Sequence, residues 1–305
     1  MINTRLAYLE PKSVSKISTV MTFIICIIGL IIFLIAMGIV VAAVPQLKEY
    51  LFTNYITYTA IGIIIGLILT LLLTYVSSYI NALLYNYLMK YFKGIQFELT
   101  PYNEIKEIDI IPSLSIFMIL TSIWFIVSGI LLFLASSVVL SLLSQLTSRF
   151  ANLDLSTITV GSLTVVTLIV LLSIVFMGIL ALITMFIFNF YTRRNPLKIE
   201  VLENNGLELK SINVISYVMS IGLTLLTIEL IRTVMNIMVG GSMEVALLTI
   251  INTIAICIIY TASVPAIYNF VASKIGGLKF DIEPSSNMIQ EYPITENLPN
   301  YNIPN

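Results

Sequence analysis

Apolar residues along this chain run in long blocks broken by short polar stretches. Six charge-free runs stand out: Ile17 to Leu47, Tyr50 to Met89, Ile110 to Ser148, Leu155 to Thr192, Ser211 to Ile228 and Val245 to Ser273. A bilayer core of about 30 Å takes about 20 apolar residues as helix, so each run supplies one spanning helix, the fifth extended through Glu229 and Arg232. The second, third and fourth runs hold 40, 39 and 38 residues. At about 1.5 Å per residue they exceed the membrane thickness, which predicts helices that protrude from the lipid with amphipathic outer ends such as Leu51 to Thr59.

A different period follows every second run. Tyr85-Asn86-Tyr87, Phe188-Asn189-Phe190 and Tyr268-Asn269-Phe270 close the apolar pairs, and Gly94, Pro196 or Gly277 comes seven or eight residues later. Each is followed by an alternating phrase: Ile95 to Leu99, Leu197 to Val201 and Leu278 to Ile282. Alternation of apolar and polar positions marks a half-buried strand. Before the odd-numbered runs lie Arg5 to Pro11, Ile105 to Ile111 and Leu207 to Leu209. Ser13, Ser113 and Ser211 follow these stretches and are expected to cap the helices.

An internal repeat of this kind bears on topology as a whole. The expected fold class is an all-α integral membrane protein: six transmembrane helices as three pseudo-symmetric two-helix repeats, with short cytoplasmic β-strands or hairpins at the repeat junctions. The boundaries are residues 4–99 for repeat one, 104–201 for repeat two, 206–282 for repeat three, and 283–305 for a disordered cytoplasmic tail rich in Pro, Asn and Ser. Asn205-Gly206 suits a tight hairpin between repeats two and three. The strand at Arg5 to Glu10 has no preceding partner and that at Leu278 to Ile282 no following one; three units around an axis along the membrane normal would bring them together in a ring of six. The alternative is strands lying singly on the membrane surface. Repeat three has 58 residues between Ser211 and Asn269, against 73 and 76 in the other two, so its helices should be shorter on the outer face.

Composition agrees with the membrane class: 58% hydrophobic, 10% charged, mean hydropathy +1.02. The net charge of −1 conceals an asymmetry, since twelve of fifteen Lys and Arg fall on the side of the amino terminus, with only Lys48, Arg149 and Arg232 toward the other face. Basic residues stay cytoplasmic, which places both termini there in a multi-pass cell-membrane protein. Cys26 and Cys257 sit within apolar runs as small hydrophobes, and the absence of histidine argues against imidazole-ligated haem, most zinc or copper centres and a His-based triad.

The order Arg5-Leu6, Pro11-Lys12-Ser13-Val14-Ser15-Lys16, two apolar helices, Tyr85-Asn86 and Gly94-Ile95-Gln96-Phe97-Glu98-Leu99 resembles the bacterial two-helix transmembrane family called domain of unknown function 3566. Repeat three carries the ending well, in Tyr268-Asn269 and Gly276-Gly277-Leu278-Lys279-Phe280-Asp281. The likeness covers residues 4–282 taken as three copies, with departures at Lys12, where the family has Trp, and at Pro196, where it has Gly. It implies a fold and no chemistry. Three two-helix repeats are also the plan of mitochondrial carriers, but no odd-numbered helix here has their Pro-x-acid-x-x-base signature.

Five polar positions are candidate sites. Glu229 and Arg232 are the charges most nearly inside the bilayer, readable as a functional pair or as an ion pair near the outer interface, roughly 27 Å along the helix from Ser211. Asn86, Asn189 and Asn269 could ring a pore or a substrate, or hydrogen-bond across helices or cap a helix end while the flanking aromatics sit at the interface. Gly62 and Gly66 form a GxxxG that permits close helix approach. No phosphate loop, metal-ligand cluster or nucleophile elbow appears, so no enzyme activity and no cofactor is expected. The expected partners are the lipid bilayer and other proteins engaged through the cytoplasmic strands and tail, with no nucleic acid. Two functions fit: a non-enzymatic scaffold or accessory subunit of a membrane complex, or a small-molecule or ion transporter built on three repeats.

Overall fold

The computed structural model describes residues 2–44, 56–147, 155–203, 206–238, 240 and 242–284. In chain order the elements are β1 (Ile2–Leu9), α1 (Pro11–Ala43), α2 (Ile56–Leu88), β2 (Gln96–Leu99), β3 (Glu104–Ile108), α3 (Ile110–Thr147), α4 (Leu155–Thr192), β4 (Leu197–Glu203), β5 (Leu207–Ile212), α5 (Val214–Met238), α6 (Met243–Ile275) and β6 (Leu278–Pro284). A π-helical turn interrupts α5 at Val218–Gly222.

The expected all-α class is wrong. The six strands form a closed antiparallel barrel in the order β1-β2-β3-β4-β5-β6, so the molecule combines a β-barrel with long helices, and its strands are more than junction hairpins. Unpaired strand edges are poorly stable in water, and closure leaves none. The barrel is completed between the chain's extremes, where Leu6 pairs with Ile282 and Leu9 with Phe280. Between Leu6 and Tyr8 the register shifts. This bulge turns both Leu6 and Leu9 toward the barrel interior while half-exposed Tyr8 faces out.

Two of the interstrand turns follow from local chemistry. At Thr100–Asn103 the Asn103 N–H donates to the Thr100 carbonyl at 3.0 Å, and Asn103 adopts a φ of 56°, which Asn tolerates better than most residues. Between β4 and β5, Gly206 has a φ of 113°; Asn204 and Asn205, the rest of the expected hairpin, lie outside the described residues.

Among the described residues six helices are long and apolar enough to cross a membrane, which makes this a multi-pass membrane protein by length and composition. The helices pack as hairpins, α1 with α2, α3 with α4 and α5 with α6; neighbouring hairpins touch through α2–α3, α4–α5 and α6–α1. Both α3 and α4 have 38 residues, about 57 Å at 1.5 Å per residue, and so exceed a bilayer core. The 25 residues of α5 make it shorter than the others, whereas α6 has 33, as many as α1 and α2. Of the expected amphipathic end at Leu51 to Thr59, residues 51–55 lie outside the described residues, as do Lys48, Arg149 and the tail beyond Pro284.

The buried core sits where the helices meet the barrel. One cluster joins Ile17, Tyr268 and Ala272 to Leu209, Ile212 and Leu278; another joins Tyr85, Leu88 and Ile116 to Leu6, Leu9 and Ile95. Most of the large side chains farther along α1 and α2 are exposed.

Candidate functional site

The polar groups collect in a collar at the helix–barrel junction. At the ends of β1, β3 and β5 the chain turns into a helix, and the last strand residue has an N–H and a C=O with no neighbour on that side. Backbone groups of this kind must find partners. Asn86 supplies them for Leu9, accepting from its N–H at 2.9 Å and donating to its carbonyl at 2.7 Å. Asn189 does the same for Ile108 at 2.9 and 2.8 Å, and Asn269 for Ile212 at 2.8 and 2.9 Å. A carboxamide carries an acceptor and donors side by side, so it completes a strand end as a further strand would. All three candidate asparagines are therefore joined to backbone between elements, and each has its amide oxygen and nitrogen engaged.

The aromatic residue before each asparagine has a second task. The Tyr85 hydroxyl donates to the Leu6 carbonyl at 2.6 Å and accepts from the Ile95 N–H at 3.3 Å, bridging β1 to the chain entering β2. Tyr268 bridges Leu209 and Leu278 in the same way, at 2.5 and 3.1 Å. Phe188 has no hydroxyl; Ile105 and Leu197 pair in the β3–β4 ladder without such a bridge, as Leu209 and Leu278 pair in the β5–β6 ladder with one. Close approach of β5 and β6 requires Gly277: a Cβ there would lie 1.9 Å from the Leu209 carbonyl oxygen.

The expected serine caps need correcting. Ser13 and Ser216 occupy matching places, the third position of their helices, each donating to the carbonyl of the residue before the helix, Glu10 or Asn213, at 3.0 Å. Both also accept an N–H from a closing strand, Lys279 in one case and Lys198 in the other, again at 3.0 Å. The residue at the cap position of α5 is Asn213, whose side chain accepts from the Ser216 N–H at 2.9 Å. Ser211 lies in β5, and its hydroxyl donates to Glu200. Ser113 is buried at 2% exposure, and its hydroxyl has no partner among the described residues. Spacing alone misaligned these serines because β5 continues to Ile212 before the helix begins.

Glu229 and Arg232 lie on α5, well away from the collar. Oε2 of Glu229 is 2.6 Å from Nη2 of Arg232, an ion pair not aligned as a hydrogen bond. Because the helix starts at Val214, Glu229 lies about 22 Å along it, at 1.5 Å per residue, rather than about 27 Å. A Cβ on Gly62 or Gly66 would meet nothing within 4 Å, so their GxxxG brings no described element close. Instead, two side-chain pairs join neighbouring hairpins: Trp124 donates to Asn81 at 2.6 Å, and the hydroxyls of Tyr191 and Thr227 lie 2.9 Å apart. Neither pair carries a sequence signal, because only packing brings those helices together.

The outer barrel wall is charged. Arg5 pairs with Glu283, Arg193 with Glu107, Lys198 with Glu104 and Lys210 with Glu200. The hydrogen bond from Ser211, followed by Lys210, holds the Glu200 carboxyl below the usual carboxylate range. These features define a class: a helical membrane protein with six candidate spans fastened to a closed barrel by side-chain-to-backbone clamps. No family model, curated protein or solved structure matches the chain.

Proposed function

We propose that this protein is a non-enzymatic scaffold or accessory subunit of a membrane complex, with its barrel and both termini in the cytoplasm and its surface there engaging other proteins. The observation that carries this reading is the outer face of the barrel. Charged strand positions alternate around it, Tyr8 stands out from it at 42% exposure, and Tyr102 stands out from the adjoining β2–β3 turn at 85%. Aromatic residues exposed among charges are common anchors of protein interfaces. The collar supports it too, since its asparagines are engaged in holding helices to the barrel. The same clamp at Asn86, Asn189 and Asn269 favours three two-helix units arranged around one axis and is compatible with the resemblance to domain of unknown function 3566.

Affinity purification of the full chain with mass spectrometry tests the proposal. A reproducible protein partner whose recovery falls with Tyr102→Ala supports it; solute flux in proteoliposomes that disappears with Glu229→Gln overturns it. Orientation is tested separately by a cysteine at Asn204 and an impermeant reagent, with labelling from outside intact cells reversing the topology. A transporter is the second reading. The π-helical turn of α5 favours it, because such turns recur at functional sites and this one is beside the buried hydroxyls of Ser220, Thr224 and Thr261.

A further inference from the structure

The barrel does not fill its own interior. In a closed barrel alternate residues point inward, and here they include Leu6, Phe97, Ile105, Val201, Leu209 and Phe280. A lumen of about 510 Å³ remains between them, and these six side chains are half-buried where a packed core would bury them fully. Protein interiors rarely leave voids larger than a water molecule, and sizeable apolar voids stay dry and accept apolar ligands. The volume lies within the range of small-molecule sites, which are mostly apolar with a few polar groups to orient the ligand.

Those polar groups are Asn103 and Glu203. The inward face of β4 reads Leu197, Ile199, Val201 and then Glu203, so the alternation that lines the wall with aliphatic side chains ends on a carboxylate at the rim. Strand carboxylates Glu104, Glu107, Glu200 and Glu283 each have a cationic partner. Glu203 is exposed and, like Glu98, Glu208 and Asp281, has no such partner among the described residues; of these four carboxylates it is the one that lines the lumen. The geometry points to the lumen as a binding site for a single-chain amphiphile with a cationic end: the alkyl chain lies among the aliphatic side chains, and the ammonium group meets Glu203 at the rim.

The test uses the full chain in phosphatidylcholine nanodiscs and dodecylamine carrying a diazirine on its chain, with cross-linked peptides mapped by mass spectrometry. Label is expected on β4, β5 and β6, displaced by unlabelled dodecylamine, and reduced at least fivefold by Val201→Trp, which fills the lumen. Leu209→Phe serves the same purpose if Val201→Trp does not fold. Glu203→Gln should weaken competition by dodecylamine about tenfold and leave competition by dodecanol unchanged. Label confined to the helices, or lumen label that survives both filling variants, overturns the site; equal effects of Glu203→Gln on amine and alcohol overturn the cationic end. Benzoylphenylalanine at Val201 supplies a further arm, in which capture of the amphiphile supports the proposal and capture of residues 285–305 identifies the chain's own tail as the occupant and overturns it.

Discussion

The collar and the membrane spans use polar side chains in opposite ways. In the collar Asn86, Asn189, Asn269, Tyr85, Tyr268, Ser13 and Ser216 all bond to backbone on another element. Along the spans Thr70, Thr74, Thr184, Thr224, Thr233 and Thr261 each donate to the carbonyl four residues earlier in their own helix. A bond within a helix satisfies a hydroxyl without specifying a neighbour, whereas a bond between elements fixes where each helix stands. Tertiary specificity in this molecule is therefore concentrated at one end, with the Trp124–Asn81 and Tyr191–Thr227 pairs as additions within the spans.

The sharpest way to break that contrast is to remove a clamp. Asn269→Ala leaves the N–H and C=O of Ile212 without their side-chain partner and should cost about 3 kcal/mol, since each unsatisfied buried group costs about 1–3 kcal/mol. Thermal unfolding of the purified protein, followed through the fluorescence of its single tryptophan, Trp124, measures it. Next comes Gly277→Ala, where a methyl group is forced against the Leu209 carbonyl; overpacking of this kind costs about 1–3 kcal/mol, and a loss near 2 is expected in the same assay.

Tyr268→Phe sharpens the comparison inside the collar. It removes the hydroxyl bridge between Leu209 and Leu278 and should destabilise by about 1 kcal/mol in the same assay. In the spans, Thr70→Val should change the unfolding free energy little, by no more than about 0.5 kcal/mol.

The smallest effect is expected from acid. A carboxyl held below its ordinary value in the folded state stabilises at pH above the unfolded value of 4.5, and that contribution disappears as pH falls through the lower, folded value. Glu200→Gln should therefore lower stability slightly above pH 4.5, where the carboxylate contributes, and flatten the profile as pH falls below 4.5 toward a value common to both proteins. An identical profile for the variant would mean that the bonds from Ser211 and Lys210 do not bias this carboxyl.

Much of this architecture is legible in the chain because it rests on local periodicity. Long charge-free runs specify spans, since lipid admits few charges and a helix satisfies its own backbone. Alternation around Phe97, Ile199 and Phe280 specifies strands, and the spacing of the three asparagines from the strands that follow marks equivalent helix ends. Pairing between β1 and β6 could be raised from the sequence only as a consequence of placing three units around an axis; whether the sheet closed was decided by the register that brings Leu9 to Phe280. The serine correspondence failed because where β5 gives way to α5 depends on Asn269 and Asn213 gripping the backbone, which spacing does not encode.

By itself, then, the sequence determined the number and order of spans and strands, because each answers to the polarity of its immediate surroundings. Tertiary structure alone decided that the strands enclose a lumen, that Glu203 ends an inward-facing row, and that the asparagines clamp backbone. Those properties depend on which distant groups meet, and that is set by closure of the barrel and by the need of every buried backbone group for a partner.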